Sequence, residues 1–525
     1  MDETYDVVVV GGGAAGLSGA LALSRARRSV LVIDSGEPRN APADRIHNYL
    51  GREGTPPGEL LAIGRAEVAG YGGQFRTGRV QAATRDDDGF RLSLDGGGES
   101  VRARRLLVTT GLTDELPDVP GLAQRWGRDV LHCPYCHGWE VRDRRIGVLA
   151  TSPLSVHQAE MWRQWSPSVL LLLHDAPAPD AETAERLAAR SIAVVPGPVA
   201  AVEVTDDALT GVRLADGRVV ALDAIVVATR LTPRADVLVG LGLAPEEVMM
   251  GEHVIGAQIP ADATGATTVP GVWVAGNVAD IRGQVITSAG AGLTAAAAIN
   301  ADLIAEDTRD AVAAYRQLVA TTFEEPAWEE RYQSRPTVWS GRPNPQLVAE
   351  VTDLAPGRAL DVGSGEGADA VWLAEHGWQV TAVDISSTAL SRAAAHAEAA
   401  GVGDRIEFTH ADLRDKPPTE EAYDLVSAQF MHLPPAHRRE LFGRLAAAVA
   451  PGGVLLIVGH HPSDLWGSAH RMHMPDMMYT AQDVAADLEP AQWEVLAAEE
   501  RSRLATTPDG ENITLHDAVL VARRR

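Results

Sequence analysis

Cysteine is almost missing from this chain: two residues in 525, Cys133 and Cys136. A framework of structural disulfides is therefore excluded, and the pair must serve another purpose. Lysine is scarcer still, since Lys416 stands alone and arginine supplies every other positive side chain. No Gly-Lys-Ser/Thr occurs, so there is no P-loop. A Schiff-base mechanism is disfavoured too, because Lys416 precedes Pro417-Pro418 in a loop-like stretch. The arginine bias reads as base composition of the coding sequence. No apolar run approaches the roughly 20 residues of a membrane span. The start, Met1-Asp2-Glu3-Thr4-Tyr5-Asp6, lacks the basic residues of a secretion signal. A net charge of −25 speaks against nucleic acid or anionic membrane as partners. A reducing cytoplasmic location is the expectation, in which a Cys pair is catalytic.

What is present is organised around two glycine loops and the Cys pair. Val7-Val8-Val9-Val10 predicts a buried strand, followed by Gly11-Gly12-Gly13-Ala14-Ala15-Gly16 and a helical Ala/Leu stretch. A second strand, Val30 to Ile33, ends at Asp34. Strand, Gly-x-Gly-x-x-Gly, helix, strand and acid is a dinucleotide-binding order. Gly11, Gly13 and Gly16 let the turn close and the backbone approach a pyrophosphate at a helix N-terminus, while Asp34 can accept from a ribose hydroxyl. Further strands are expected at 106–111, 146–150, 168–173, 224–229 and from Gly271. Cys133-Pro134-Tyr135-Cys136 has the spacing of a redox dithiol.

These marks, with Thr109-Thr110-Gly111 and with Gly276-Asn277-Val278-Ala279-Asp280 and Gln284, resemble the low-molecular-weight thioredoxin reductases over residues 1 to about 305. The resemblance implies FAD held by two segments, 1–118 and 235–305, through Gly11, Gly13, Gly16, Asp34, Asn277, Asp280 and Gln284. A middle nucleotide-type domain, 119–234, would carry the Cys pair, and a homodimer would form through this half. Asn277 stands where the family usually has Asp; its amide oxygen still accepts a hydrogen bond. NADPH-using members carry a second glycine loop in the middle domain. Here that place reads Gly147-Val148-Leu149-Ala150-Thr151-Ser152-Pro153-Leu154, where Pro153 removes a backbone donor. His174-Asp175-Ala176-Pro177 replaces the basic cluster for the 2′-phosphate. NADPH is thus doubtful as electron donor, and the chain resembles the dithiol oxidases among these relatives. His137 follows the second Cys where reductases have Asp. It can lower a thiol pKa and shuttle a proton, as can its rival His132. Cys133-x-x-Cys136-His137 also fits c-type haem attachment, which would require export. Zinc lacks two of its usual four ligands, and no metal site is expected.

A fresh α/β pattern begins after about residue 345. Asp361-Val362-Gly363-Ser364-Gly365-Glu366-Gly367 follows one strand, Asp384 ends the next, and Asp412 follows the third. The pattern resembles motif I of class I S-adenosylmethionine-dependent methyltransferases across about 328–525. It implies Asp361, Gly363, Gly365 and Gly367 at the methionine moiety, Asp384 at the ribose and Asp412 beside adenine. Gly365-Glu366-Gly367-Ala368-Asp369 with Trp372-Leu373-Ala374 is similar to tellurite-resistance and thiopurine S-methyltransferases. No Asn-Pro-Pro-Tyr motif of amino-methyltransferases follows Tyr423-Asp424. Trp339 to Asn344 is a candidate lid. His460, His461, His470 and His473, among Met472, Met474, Met477 and Met478, read as a polar loop over Met packing in preference to a metal site. His432 is open between base and core residue.

The expected architecture is α/β: a two-domain FAD/nucleotide-binding Rossmann-like reductase fold, a linker at 306–325, and a class I methyltransferase doubly wound sheet at 326–525. The expected function is bifunctional, an FAD-dependent thiol/disulfide oxidoreductase of dithiol-oxidase type joined to a small-molecule, sulfur-directed methyltransferase. Its partners would be a small thiol or disulfide and a methyl acceptor. The alternatives are an NADPH-driven disulfide reductase and an FAD-binding redox sensor that gates the methyltransferase.

Overall fold

The computed structural model describes residues 3–86, 88–95, 100–152, 154–466, 475–506 and 512–525. It divides into two compact units, Met1–Thr308 and Arg309–Arg525.

In the first unit the β-branched run forms the central strand Thr4–Val10, whose last four residues are all buried. It pairs in parallel with Val30–Asp34 on one side and Ser100–Val108 on the other. Strand Val272–Val274, far downstream, joins the same sheet beside Ser100–Val108. Two separate chain segments thus build one sheet. Burial on both faces explains why these strands are continuous aliphatic runs. Between the segments lies a five-stranded parallel sheet in the order Ala193–Val195, Val169–Leu172, Ile146–Leu149, Ala224–Val227, Val130–Leu131. The helix Pro134–His137 directly follows this sheet's edge strand and carries the Cys pair. A four-stranded sheet that includes Leu112–Glu115 and Arg230–Pro233 joins the two chain crossings.

Two helices cover the first sheet through small residues. A Cβ on Gly292 would stand 2.0 Å from the Ala15 carbonyl oxygen, and one on Gly19 would stand 2.5 Å from Leu107 and 3.1 Å from the Gly292 carbonyl. Helix Ala14–Arg25 therefore meets helix Val285–Thr322 at backbone distance. The latter is long and apolar enough to cross a membrane by length and composition, which the sequence reading did not expect. Its apolar character is mostly alanine and glycine, with Ala289, Gly292, Ala295, Ala296, Ile299 and Leu303 buried. Arg28, Arg104 and Arg105 pair with its Asp302, Glu306 and Asp307. Residues 306–325, expected as a linker, are helical as far as Thr322. No Gly or Pro interrupts the chain between Gly292 and Pro326, and Ala, Leu, Glu and Arg are good helix formers.

The second unit is a seven-stranded sheet in the order Ile406–His410, Gln379–Asp384, Arg358–Val362, Tyr423–Gln429, Val449–His460, Asn512–Arg524, Trp493–Thr506. The first five are parallel, and the last two form an antiparallel hairpin on the edge. The order reverses at Arg358–Val362, so the carboxyl edge beside that strand is the switch point where such sheets bind ligands.

Gly292→Ala tests the helix contact. The substitution would add about 1 kcal/mol of helix propensity, but a methyl 2.0 Å from a backbone oxygen forces the helices apart. A net loss of roughly 1–3 kcal/mol is expected, read as a lower unfolding temperature by circular dichroism. An unchanged or raised midpoint would refute the contact.

Candidate functional site

In the first unit a cavity of about 1050 Å³ is lined by the glycine loop, Asp34, Thr109 to Leu112, the Cys pair, His132, His137, Asn277 and Gln284. Its three fingerprint glycines have different tasks. Gly11 has φ +108°, and Cβ atoms on Gly11 and Gly16 would strike the Thr109 and Gly11 carbonyls. Those two close the turn and pack the helix. A Cβ on Gly13 would meet nothing within 4 Å. No protein contact demands glycine there, whereas a phosphate drawn against the backbone does. The cradle fits a dinucleotide. Asp34 accepts from Gly12 N at 3.1 Å and pairs with Arg65. Asn277 receives Arg39 Nη1 at 3.3 Å and donates to the Asp280 and Gly283 carbonyls. Asp280 is exposed, does not line the cavity, and closes its own turn by accepting from Arg282 N.

Cys133 caps the start of its short helix, and its sulfur lies 2.6 Å from that of Cys136. The Cys136 thiol hydrogen bond pulls the Cys133 pKa down to about 7; the N–H groups of Cys136 and Tyr135 and the Arg39 charge assist, against burial. Cys136 is pushed up by the same hydrogen bond and by burial. One proton shared by two thiols gives the first thiolate to Cys133, because the helix-start donors point there. Burial lowers the pKa of both His132 and His137, keeping them neutral and able to accept a proton. His132 Nδ1 is 3.1 Å from the Val227 carbonyl.

Several residues here escaped the sequence reading. Arg39 forms a bidentate pair with Asp114 at 2.7 and 2.8 Å, and Thr229 donates to the same carboxylate at 3.0 Å. Burial alone would raise Asp114, but Arg39 holds it below the usual carboxylate range. His47 is clamped between Glu53 at 2.6 Å and Glu140 at 3.3 Å. Asn48 donates to the Tyr135 carbonyl at 2.7 Å. Asp114 lies in strand Leu112–Glu115 and the others in loops, and no motif announces any of them. In the middle sheet the amides of Thr151 and Ser152 both donate to Ser155 Oγ, at 3.2 and 3.4 Å. Pro153 lies outside the described residues. His174 accepts from Val199 N, and Gly147 is buried in its strand against Leu222.

In the second unit the loop Asp361 to Gly367 leaves the switch-point strand with positive φ at Gly363, Gly365 and Gly367. Asp361 is fully buried with one carboxylate oxygen unpartnered, and the Ser364 hydroxyl is likewise unpartnered. Burial and the charges of Asp369 and Asp384 push Asp361 far up. Burial lifts Asp369 to about 6, although Asn344 N donates to it. Asp384 is raised by burial despite accepting from Gly365 N and Ser386 N at 2.8 and 2.9 Å. None of the three acids pairs with a basic side chain in the ion pairs of the described residues. Such a set suits a ligand that is cationic and carries hydroxyls, as S-adenosylmethionine is. Asp412 differs: its carboxylate is held by Arg414, and it sits below the usual range for that reason. Tyr332 and Trp339 stand over Gly365, joined by a 2.9 Å hydrogen bond. Glu366 anchors this segment through the Val338 and Trp339 amides and Arg392. His470 and His473 lie outside the described residues.

The pyridine nucleotide-disulphide oxidoreductase family matches residues 5–298, and a methyltransferase domain matches residues 359–453. The crystal structure of HlmI is similar at 46% identity and a TM-score of 0.55, over 60% of this chain and 97% of HlmI. Thioredoxin reductase sirT of Leptosphaeria maculans is 28% identical over 320 residues, 58% of this chain and 95% of sirT. Thioredoxin reductase tcpT of Claviceps purpurea is 40% identical over 153 residues, 28% of this chain, so the match spans only 47% of tcpT's own length.

In reduced protein, alkylation by iodoacetamide should rise with pH through about 7 as the Cys133 thiolate forms, and mass spectrometry should find the label on Cys133 first. Preferential early labelling of Cys136 would reverse the assignment.

Proposed function

This chain belongs to the pyridine nucleotide-disulphide oxidoreductase family and carries a methyltransferase domain, and on that premise we propose that it is a dithiol oxidase joined to a sulfur-directed methyltransferase. The observation that carries the oxidase direction is the fate of the Thr151 and Ser152 amides. Both are consumed by Ser155 Oγ, at the turn where a second nucleotide phosphate would need them. The lack of a basic residue at His174-Asp175 supports the same reading.

The chemistry follows from the pair. A substrate thiolate attacks Cys133 of the oxidised pair; the Cys133–Cys136 bond breaks and Cys136 leaves as thiolate. The substrate's second thiolate attacks its own sulfur in the mixed disulfide, closing the substrate disulfide and releasing Cys133. A low Cys133 pKa speeds that departure. The two substrate protons pass to His137, with His132 as second acceptor. FAD would be held by Gly11, Gly13, Gly16, Asp34, Asn277 and Gln284, and when bound it would supply the two-electron acceptor that re-oxidises the resulting dithiol. Cys136 is the flavin-side thiol in this reading. Small thiols are the substrates, and a homodimer forms through this half. S-adenosylmethionine is held in the second unit by Asp361, the loop glycines and Asp384, and a thiol acceptor, nucleophilic once ionised, needs no amino-methyltransferase motif. The likeness to sirT and tcpT, both named thioredoxin reductases, favours the opposite, reductase direction as the second reading.

Anaerobic spectroscopy separates the two. A small dithiol should bleach the flavin rapidly, NADPH should bleach it at least tenfold more slowly, and air should restore the colour with formation of peroxide. Rapid, saturable bleaching by NADPH would establish the reductase instead. For the methyltransferase, thiols should accept labelled methyl groups faster than amines or phenols; a clear win for amines or phenols would end the sulfur reading.

A further inference from the structure

We propose that His460 is the base that deprotonates the methyl acceptor, in a site built at the carboxyl ends of strands Tyr423–Gln429 and Val449–His460. The thiol acceptor class rests on the function proposed above; the assignment of the base does not.

The two strands are parallel neighbours, with Gln429 opposite Val458. Tyr423–Gln429 also borders the switch-point strand that feeds the glycine loop. Met431, two residues past its end, reaches that loop: a Cβ on Gly363 would be 2.7 Å from Met431 Sδ. The segment 429–432 therefore lines the cofactor loop, and whatever receives the methyl group must lie beside it.

Three independent features meet there. Phe430 is held at φ +55°, a conformation costly for a bulky residue and found where function requires it. Its ring lies 4.7 Å from that of His460, under the Arg503 guanidinium at 5.6 Å. Next, the imidazoles of His432 and His460 are stacked at 4.3 Å and 18°. His432 Nε2 accepts the His460 backbone N–H at 3.1 Å, so its own proton sits on Nδ1 and its orientation is set. Last, His460 Nδ1 and the Tyr479 hydroxyl are both buried without a hydrogen-bond partner. The hydroxyl lies against Gly459, while the His460 ring lies against Phe430; an unpartnered imidazole nitrogen there is costly unless a ligand engages it. Burial keeps Tyr479 protonated, and His460, in the tautomer unprotonated at Nδ1, is free to accept. The charged groups around the pair are Arg503 with its partner Asp517, which is in register with His460, and Arg438 at 4.7 Å from the Tyr479 ring.

This role specifies an acceptor that enters neutral and protonated. In the transfer the acceptor S–H proton moves to His460 Nδ1. The acceptor sulfur forms its bond to the methyl carbon as the sulfonium carbon–sulfur bond breaks, leaving a thioether and S-adenosylhomocysteine. The imidazolium then releases its proton to solvent. His432 is a positioning residue, acting through its stack and hydrogen bond.

The test uses full-length protein and two acceptors, 2-mercaptoethanol, a neutral thiol at pH 7, and 4-nitrothiophenol, already ionised there. His460→Gln should lower kcat/KM for the neutral thiol about 100-fold at pH 7, with recovery as pH rises, yet change the ionised thiol less than about threefold. S-adenosylhomocysteine affinity should stay within about twofold, which also certifies the fold; His460→Asn serves if the Gln variant fails that check. Without turnover, adding 2-mercaptoethanol to the S-adenosylhomocysteine complex should shift the His460 resonance in ¹³C-histidine-labelled protein. Equal losses on both acceptors, no loss on either, an unmoved resonance, or a wild-type enzyme that methylates neither class would overturn the proposal. If phenols outrun thiols, the sulfur reading fails, and phenol against 4-nitrophenol gives the same contrast for His460.

Discussion

One buried carboxylate holds the redox unit in its working shape. Asp114 is 5% exposed and is reached by side chains from two distant stretches of chain, Arg39 and Thr229. Through Arg39 it also touches Asn277, in the segment that returns to complete the first sheet. Removing one partner of such a buried pair typically costs about 3–5 kcal/mol, because the other charge is left uncompensated. The same Arg39 lowers the pKa of Cys133, and Asp114 opposes the effect of burial on His132. Geometry and electrostatics at the dithiol thus depend on a single interaction.

The methyltransferase unit solves the opposite problem. Asp361, Asp369 and Asp384 lie close together at the switch point, none of them in an ion pair among the described residues, and burial raises all three. Other carboxylates of the unit, such as Glu366 and Asp412, are paired with arginine and lowered. The contrast between the three acids and Glu366, which sits in the same loop but pairs with Arg392, suits a cationic ligand. At the neighbouring strand ends His432 and His460 stack on one another.

Much was legible from local pattern. Aliphatic runs four to six residues long marked nearly every central strand, because strands buried on both faces have no polar side. The glycine loops were equally legible, since only a close-approaching backbone needs glycine at those intervals. What the pattern did not show was which other groups engage the motif's carboxylates. Asp412 has the right position in the pattern, yet a neighbouring arginine two residues on captures its carboxylate. Asp280 sits in the motif but caps its own turn. The supposed linker carried charges and bulky residues, but a helix tolerates both when Gly and Pro are missing.

The sequence by itself determined the element order, both glycine loops, the dithiol and the two families these imply. Each depends on residues close together in the chain, where spacing translates directly into turn, helix or strand geometry. Tertiary structure alone decided what surrounds them. Arg39 meets Asp114 across 75 residues, His47 meets Glu140, and His432 stacks on His460. Such partners come from loops and strand ends without periodicity. Their roles arise from burial, which sets the energy of an unpaired charge, and burial exists only once the sheets have packed.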